Sequence, residues 1–148
     1  MLKTILYSSL CGTLLLMAGC NSLPSKQQLQ NIEQLQNKDW VLSYLGNTEF
    51  KATPDAHSVP SLRFEPTQQL TGSDGCNRLL GGYVVQGQTL QLSVASTKIF
   101  CEDPQQTTQN FNQRLAKVTG YQVHNQNLRL LDPHGNVLLQ FQTNSPNP

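Results

Sequence analysis

Apolar and polar residues alternate along most of the chain after residue 38, and this pattern predicts short β-strands. In the first strand, Trp40, Leu42 and Tyr44 alternate with smaller or polar residues, which is typical of a half-buried strand. Turn residues such as Gly87-Gln88 separate the segments. The same reasoning places further strands at 62–64, around 70, and at 83–86, 89–95, 121–124, 128–131 and 137–141.

One helix is predicted within this series of strands. Asp103 suits the N-cap, Pro104 suits the first helical position, and Gly120 suits the residue just past the helix end. The apolar residues that recur on one helical face are Phe111, Leu115 and Val118. About eight strands and one packed helix predict a single small α+β domain over residues 39–142, with a curved, mainly antiparallel sheet. Residues 143–148 are expected to form a disordered tail.

The first twenty residues resemble the signal of a bacterial lipoprotein. Lys3 precedes an apolar stretch, and Leu16-Met17-Ala18-Gly19-Cys20 is similar to the lipobox, in which the Cys becomes the lipidated first residue. This resemblance implies a signal peptide at 1–19 and a diacylglycerol plus an N-acyl chain on Cys20, which would anchor the protein stably in a membrane. A plain signal peptide followed by an incidental Cys is the alternative.

The residues after Cys20 indicate where this anchor would lie. Asn21 and Ser22 replace the Asp that retains many Gram-negative lipoproteins in the inner membrane. In a Gram-negative host, the resemblance implies an outer-membrane lipoprotein that faces the periplasm. Residues 20–38 are rich in Gln, Ser and Asn, and we interpret them as the lipidated Cys and a flexible, transiently helical tether.

The charge balance argues against nucleic acid as a partner. The chain has 10 Lys and Arg residues against 9 Asp and Glu residues, and loss of Lys3 with the signal would leave nine of each. A nucleic-acid-binding protein needs a basic stripe. The same balance disfavours electrostatic binding to anionic lipids, so the membrane is expected as a partner only through the lipid anchor.

The cysteine count predicts a disulfide. Of the four Cys residues, Cys11 lies within the signal and Cys20 is assigned to lipid, which leaves Cys76 and Cys101. An oxidising compartment favours a bond between these two, with two free buried thiols as the alternative. Closing a loop of about 26 residues would stabilise the domain by roughly 3–4 kcal/mol.

No constellation of catalytic or metal-binding residues is visible. The three histidines, His57, His124 and His134, are dispersed, and no Gly-x-Ser-x-Gly elbow is present. The acidic pair Glu102-Asp103 is explained by the dipole at the start of the predicted helix. We therefore expect neither an enzyme nor a metal site, and no cofactor beyond the lipid on Cys20.

Trp40, Gly75-Cys76-Asn77 and Thr97-Lys98 before Cys101 follow one another as an ordered set of motifs. This set resembles the META domain, the family of heat-shock-inducible HslJ-like lipoproteins. The resemblance implies a compact antiparallel sheet with one packed helix, a pairing of the two cysteines, and a role in heat or drug tolerance without enzymatic activity. The sequence has Ile99-Phe100 where members often have Met-Ala, and we expect both residues to face the core. The motif residues are Trp40, Gly75-Cys76-Asn77, Thr97-Lys98 before Cys101, Tyr121, Leu128, Leu130, Asp132, Gly135 and Phe141.

The motif residues have structural interpretations. Asn77 is expected to bond backbone groups within its own turn, and Asp132 and Gly135 are turn residues. Lys98 is either an exposed charge at a strand end or a binding residue.

Two functions follow from the resemblance. The first is a non-catalytic envelope lipoprotein that contributes to stress tolerance. The second is a pilotin-like module that holds an acyl chain, or a hydrophobic peptide of an envelope partner, in the concavity of the sheet. An open apolar groove beside the helix would favour the pilotin-like module, and a filled core would favour the first function.

Overall fold

The computed structural model describes residues 26–52, 59–102 and 106–143. Within these residues the chain forms two short helices and nine strands, so the fold is mostly β. The predicted single domain with an antiparallel sheet is confirmed, with one strand and one helix more than expected. The elements are α1 (Lys26–Leu35), β1 (Asp39–Leu45), β2 (Thr48–Glu49), β3 (Ser61–Phe64), β4 (Gln69–Ser73), β5 (Arg78–Gln86), β6 (Thr89–Ser96), α2 (Thr107–Leu115), β7 (Gly120–His124), β8 (Asn127–Leu131) and β9 (Val137–Gln142).

The sheet curves until it closes on itself. Its strand order is β2-β1-β3-β4-β5-β6-β7-β8-β9, and β1 also pairs with β9. All described pairings are antiparallel, and the weakest is the one between β6 and β7, where Thr89 opposite Gly120 is the single register pair. Two backbone hydrogen bonds flank that pair, from Leu90 N to Thr119 O and from Tyr121 N to Gln88 O. The pairing of β6 with β7 is therefore the shortest in the sheet, and we call it the β6–β7 seam.

Alternate residues of the strands fill the space that the sheet encloses. Each fully buried Leu or Phe side chain contributes about 1.5–3 kcal/mol relative to exposure. Two T-shaped aromatic pairs lie in this core, Phe64 with Tyr83 at 5.1 Å and Phe111 with Phe141 at 6.2 Å between ring centroids. The core residues are Leu35, Trp40, Leu42, Leu62, Phe64, Leu70, Leu79, Tyr83, Leu90, Phe111, Leu115, Val118, Tyr121, Leu128, Leu130, Leu138, Leu139 and Phe141.

Part of the predicted tether is a packed helix. Leu35, at the end of α1, is fully buried, and its carbonyl oxygen accepts a hydrogen bond of 2.8 Å from Nε1 of Trp40. Gln36 donates from Nε2 to the Tyr83 hydroxyl at 2.6 Å. Leu29, Ile32 and Leu35 recur every third residue and give the helix its apolar face. In residues 26–35 the expected transiently helical tether is thus a helix whose last residue packs into the core.

The second helix, α2, is shorter than predicted. It begins at Thr107, its N-cap Gln106 makes no side-chain capping bond, and its C-cap is Ala116. Asp103 and Pro104 lie outside the described residues. The helix cannot continue to Gly120 because Thr119 N donates to Leu131 O in the sheet, and Gly120 is already the first residue of β7. Tertiary pairing thus overrides the end signal read from Gly120.

Candidate functional site

A disulfide ties the turn between β4 and β5 to the segment that follows β6. Cys76 and Cys101 are bonded, and their Cα atoms lie 6.0 Å apart, within the usual range for such a bridge. The predicted pairing is confirmed. The bond closes a loop that contains β5 and β6, so it fixes one end of this hairpin.

A buried carboxylate, Asp74, organises the turn beside the disulfide. Its side chain is fully buried, and Oδ1 accepts from Cys76 N at 3.0 Å and from Asn77 N at 2.6 Å. Oδ2 accepts from Nδ2 of Asn112 on α2 at 2.7 Å and from Nδ2 of Asn77 at 3.4 Å. Bonds of this number and type stabilise an ionised carboxylate away from water. The sequence analysis missed Asp74, although an Asp before Gly-x-Asn is typical of an Asx turn.

Asn77 also bonds across strands, beyond its own turn. Its Oδ1 accepts from Ile99 N at 2.7 Å and from the Thr97 hydroxyl at 3.3 Å. The Thr97 hydroxyl in turn accepts from Arg78 N at 3.1 Å. The expectation of local backbone bonds for Asn77 was therefore incomplete, because its main partners lie about twenty residues further along the chain. The Gly-Cys-Asn and Thr-Lys elements thus meet at one end of the β5–β6 hairpin.

The segment held by Asn77 and the disulfide exposes two apolar side chains. Ile99 is 62% exposed and Phe100 is 91% exposed, so the expectation that both face the core was wrong. The physical reason is that the bonds of Thr97 and Ile99 to the β5 side hold this segment outside the sheet. Lys98 is also exposed, two residues after Ser96 at the end of β6.

Trp40 and the Asp132 turn lie apart from this cluster. Trp40 is a core residue, and Lys38 Nζ lies 5.9 Å from its ring centroid. Burial lowers the pKa of Lys38 from its ordinary value. Asp132 Oδ1 accepts from His134 N and Asn136 N, each at 2.8 Å, and Oδ2 accepts from the Asn136 amide at 2.9 Å. These bonds, with the Asn136 side chain foremost, lower the pKa of Asp132.

Two inward-facing tyrosines differ in how their hydroxyls are bonded. Tyr83 donates to Glu65 O at 2.8 Å and accepts from Gln36, whereas the buried Tyr121 hydroxyl has no hydrogen-bond partner within the described residues. Burial is the main reason that the pKa of each phenol is raised. A hydroxyl without a partner is costly in a core. Tyr121 lies next to the β6–β7 seam, and this position alone does not make its hydroxyl a catalytic or binding group.

A shallow cavity between polar side chains lies on the outer face of the β7–β8 hairpin. Its volume is about 260 Å³, and it is lined by Gln122, His124, Asn127 and Arg129. His124 Nε2 lies 3.1 Å from Nδ2 of Asn125, in the hairpin turn. From the sequence, His124 was expected to be a turn or surface residue and not a metal ligand, and this cavity was not anticipated. Alternation in β7 and β8 predicts which residues face outward, so that signal was available.

The described part of the chain has neither a cluster of metal ligands nor a membrane-spanning helix. No group of three His, Cys, Asp or Glu side chains there is arranged to hold a metal ion. His57 lies outside the described residues. Neither of the two described helices has the length and apolar character that crossing a bilayer requires.

Comparison with protein families identifies the domain. The META domain family model matches residues 33–145. The chain belongs to the META domain family. The match begins six residues before the predicted domain boundary at 39, in agreement with the burial of Leu35 at the end of α1. No curated protein matches the chain at a significant level.

Solved structures share the fold of this META domain. An NMR structure of a protein from Burkholderia xenovorans is similar with 25% identity and a TM-score of 0.56, covering 75% of this chain and 84% of that one. A second NMR structure is similar with 24% identity and a TM-score of 0.58, covering 74% and 92%. A crystal structure of a DUF4847 family protein from Bacteroides vulgatus ATCC 8482 is 18% identical with a TM-score of 0.55, covering 73% and 93%. None of these descriptions names a catalytic activity.

The motif residues of the META domain are thus divided between separate places. Gly75, Asn77 and Thr97 meet around the disulfide and Asp74, whereas Trp40 packs in the core and Gly135 lies in the β8–β9 turn. Gly75 and Gly135 have φ angles of 100° and 81°, in the region that favours glycine. The cluster around the disulfide has the chemistry of a structural clamp. It contains no paired nucleophile and base.

Proposed function

We propose that this META domain protein is a non-catalytic lipoprotein of the outer membrane, whose domain faces the periplasm and contributes to heat and drug tolerance. The observation that carries the proposal is the Cys76–Cys101 disulfide, because such bonds persist mainly in oxidising compartments. The lipobox-like residues 16–20 support the anchor. Family membership supports the role in the envelope.

The filled interior supports this function over the pilotin-like alternative. Phe64, Phe111 and Phe141 are fully buried and occupy the space that an acyl chain would need. One observation favours the alternative: Leu92 and Val94 pack against the core but are only partly buried, on β6 beyond its single pair with β7. A hydrophobic peptide that adds along β6 at this seam is the form of the pilotin-like function that the structure supports best.

Metabolic labelling tests the anchor. The full-length chain, expressed in a Gram-negative host, is expected to incorporate labelled palmitate and to sediment with the outer membrane. Cys20→Ser should abolish both results, and Cys11→Ser is the matched control that should change neither. Labelling that survives in Cys20→Ser, or a protein recovered in the soluble fraction, would contradict the proposed lipoprotein.

Complementation tests the role in tolerance. A strain that lacks the gene is expected to survive heat and drug exposure less well, and the wild-type gene should restore survival. The gene with Cys20→Ser should restore survival poorly, because the protein would lack its lipid anchor. Native mass spectrometry of the protein taken from cells separates the two functions, since a retained acyl chain or peptide would favour the pilotin-like module.

A further inference from the structure

The β7–β8 hairpin presents a compact set of polar side chains away from the core. Gln122 lies directly opposite Arg129, and His124 lies directly opposite Asn127. Opposite residues on a sheet face are about 5 Å apart, and residues two apart on one strand are about 7 Å apart. The four side chains therefore stand at the corners of a small rectangle around the cavity.

The neighbouring strand extends this polar face. Gln140 and Gln142 of β9 lie opposite Arg129 and Asn127. The Gln140 amide donates to Gly46 O at 3.1 Å, so it is partly engaged already. Carboxamide side chains can both donate and accept hydrogen bonds, which is what a ligand rich in hydroxyl and acetamido groups requires.

The cavity has a positively charged side chain in its lining and no negatively charged one. Arg129 is its only permanently charged lining residue, and the four lining side chains include no carboxylate. The ion pairs found in the described residues use Lys51 and Arg63, not Arg129. The planar guanidinium group of arginine binds a carboxylate through two parallel hydrogen bonds. The cavity is therefore suited to an anionic group held among neutral polar contacts.

The polarity of this face is not a general property of the outer surface. On β5, the outward residues Leu80 and Val84 are 62% and 44% exposed. The cavity volume of about 260 Å³ lies just below the range of about 300–1,000 Å³ that holds drug-sized ligands. A ligand the size of one sugar residue matches this volume and this set of donors and acceptors.

We propose that the β7–β8 cavity binds a single acidic sugar residue, with its carboxylate on Arg129 and its hydroxyl or acetamido groups on Gln122, Asn127 and His124. The site lies on the outside of the sheet, so it does not depend on the filled core or on the lipid anchor. It gives the domain a means of contacting an acidic glycan. If the lipoprotein proposal fails, the proposal for this site still stands. If the sugar site fails, the lipoprotein proposal still stands.

Nuclear magnetic resonance titration of the full-length protein in detergent tests the site with three probes. N-acetylmuramic acid carries the sugar ring and a carboxylate, N-acetylglucosamine carries the ring alone, and lactate carries the carboxylate alone. The acidic sugar is expected to shift amide resonances of β7 and β8 and to bind about tenfold more tightly than either other probe. Equal binding of all three probes, or no shift in these strands, would overturn the proposal.

Variants on the exposed face supply the matched controls. Arg129→Gln should remove the preference for the acidic sugar, and Gln122→Glu should do the same because it places a carboxylate directly opposite Arg129. Arg78→Gln, at another exposed strand arginine outside the cavity, should change nothing. An Arg129→Gln protein that still prefers the acidic sugar would show that the site has been assigned wrongly.

Discussion

Two turns of this domain share the same local chemistry and differ in everything around it. In both, an Asp carboxylate accepts from the backbone N–H two residues later and from a following Asn, and in both a Gly has a positive φ. The Asp74 backbone N–H donates to Asn77 O, and the Asp132 backbone N–H donates to Asn136 O. A short sequence pattern is enough to specify a turn of this kind.

The difference lies in the contacts each turn makes with the rest of the fold. Asp74 is fully buried and also bonds to Asn112 on α2, and its turn is covalently linked to Cys101. The bonds of the Asp132 carboxylate stay within its own turn, at the surface. The same local motif therefore serves as a clamp between elements in one place and as a simple connection in the other.

Removal of the disulfide is expected to have the largest effect and to separate the two turns. Cys76→Ala with Cys101→Ala should lower the free energy of unfolding by about 3–4 kcal/mol, because the unfolded chain gains the entropy of the opened loop. Hydrogen exchange should accelerate around Asp74 and stay unchanged around Asp132. Reduction of the wild-type protein should reproduce the result, and equal acceleration at both turns would contradict the comparison.

Removal of each carboxylate measures the same contrast without touching the disulfide. Asp74→Ala should lower the free energy of unfolding by roughly 2–4 kcal/mol, since it leaves part-buried N–H donors of the turn and of α2 without an acceptor. Asp132→Ala should cost clearly less, because water can replace the lost bonds at the surface. Urea denaturation of both variants gives the comparison, and similar losses would show that burial is not what distinguishes the turns.

The bond between α2 and the buried turn can be isolated from the rest. Asn112→Ala should lower stability by about 1–2 kcal/mol, because it removes a hydrogen bond to a fully buried carboxylate oxygen. Asn110→Ala, at an exposed position on the same helix, is the matched control and should be nearly neutral. In a double-mutant cycle, Asp74 and Asn112 are expected to show a coupling energy, and strict additivity would exclude the clamp.

The contrast between the turns also shows which parts of the fold could be predicted. Strands such as β3 were evident because Leu62 and Phe64 alternate with polar residues, and the disulfide followed from counting cysteines. The packing of helix α1 on the domain was not expected, because its Gln-rich composition is typical of a tether, although Leu35 is fully buried. Such a composition reflects only the solvated face of this helix. Its packing depends on the contacts of Leu35 with Trp40 and of Gln36 with Tyr83.

The cluster around the disulfide and the cavity on the β7–β8 hairpin were harder to predict from the sequence, because both depend on contacts between distant parts of the chain. Asn77 bonds to Ile99 across 22 positions, and no local pattern specifies a partner at that distance. Ile99 and Phe100 were expected in the core because apolar residues usually are, but their backbone is held outside by Asn77 and the disulfide. The cavity depends on the pairing of Gln122 with Arg129, which is a matter of register between strands.

The smallest expected effect concerns the ionisation of Asp132. Bonds from Asn136 and the turn backbone lower the pKa of this carboxyl in the native state, so its ionised form contributes to stability above the ordinary Asp pKa. That contribution is lost as the pH falls through the lowered native pKa. A chemical-shift titration should place this pKa below the ordinary range, and Asn136→Ala should move it back towards that range, because the Asn136 side chain is its main cause. An unchanged pKa in Asn136→Ala would mean that the backbone bonds alone lower the pKa of Asp132. The Asn136 side chain would then contribute little to this surface turn, in contrast to the side-chain bonds of Asp74.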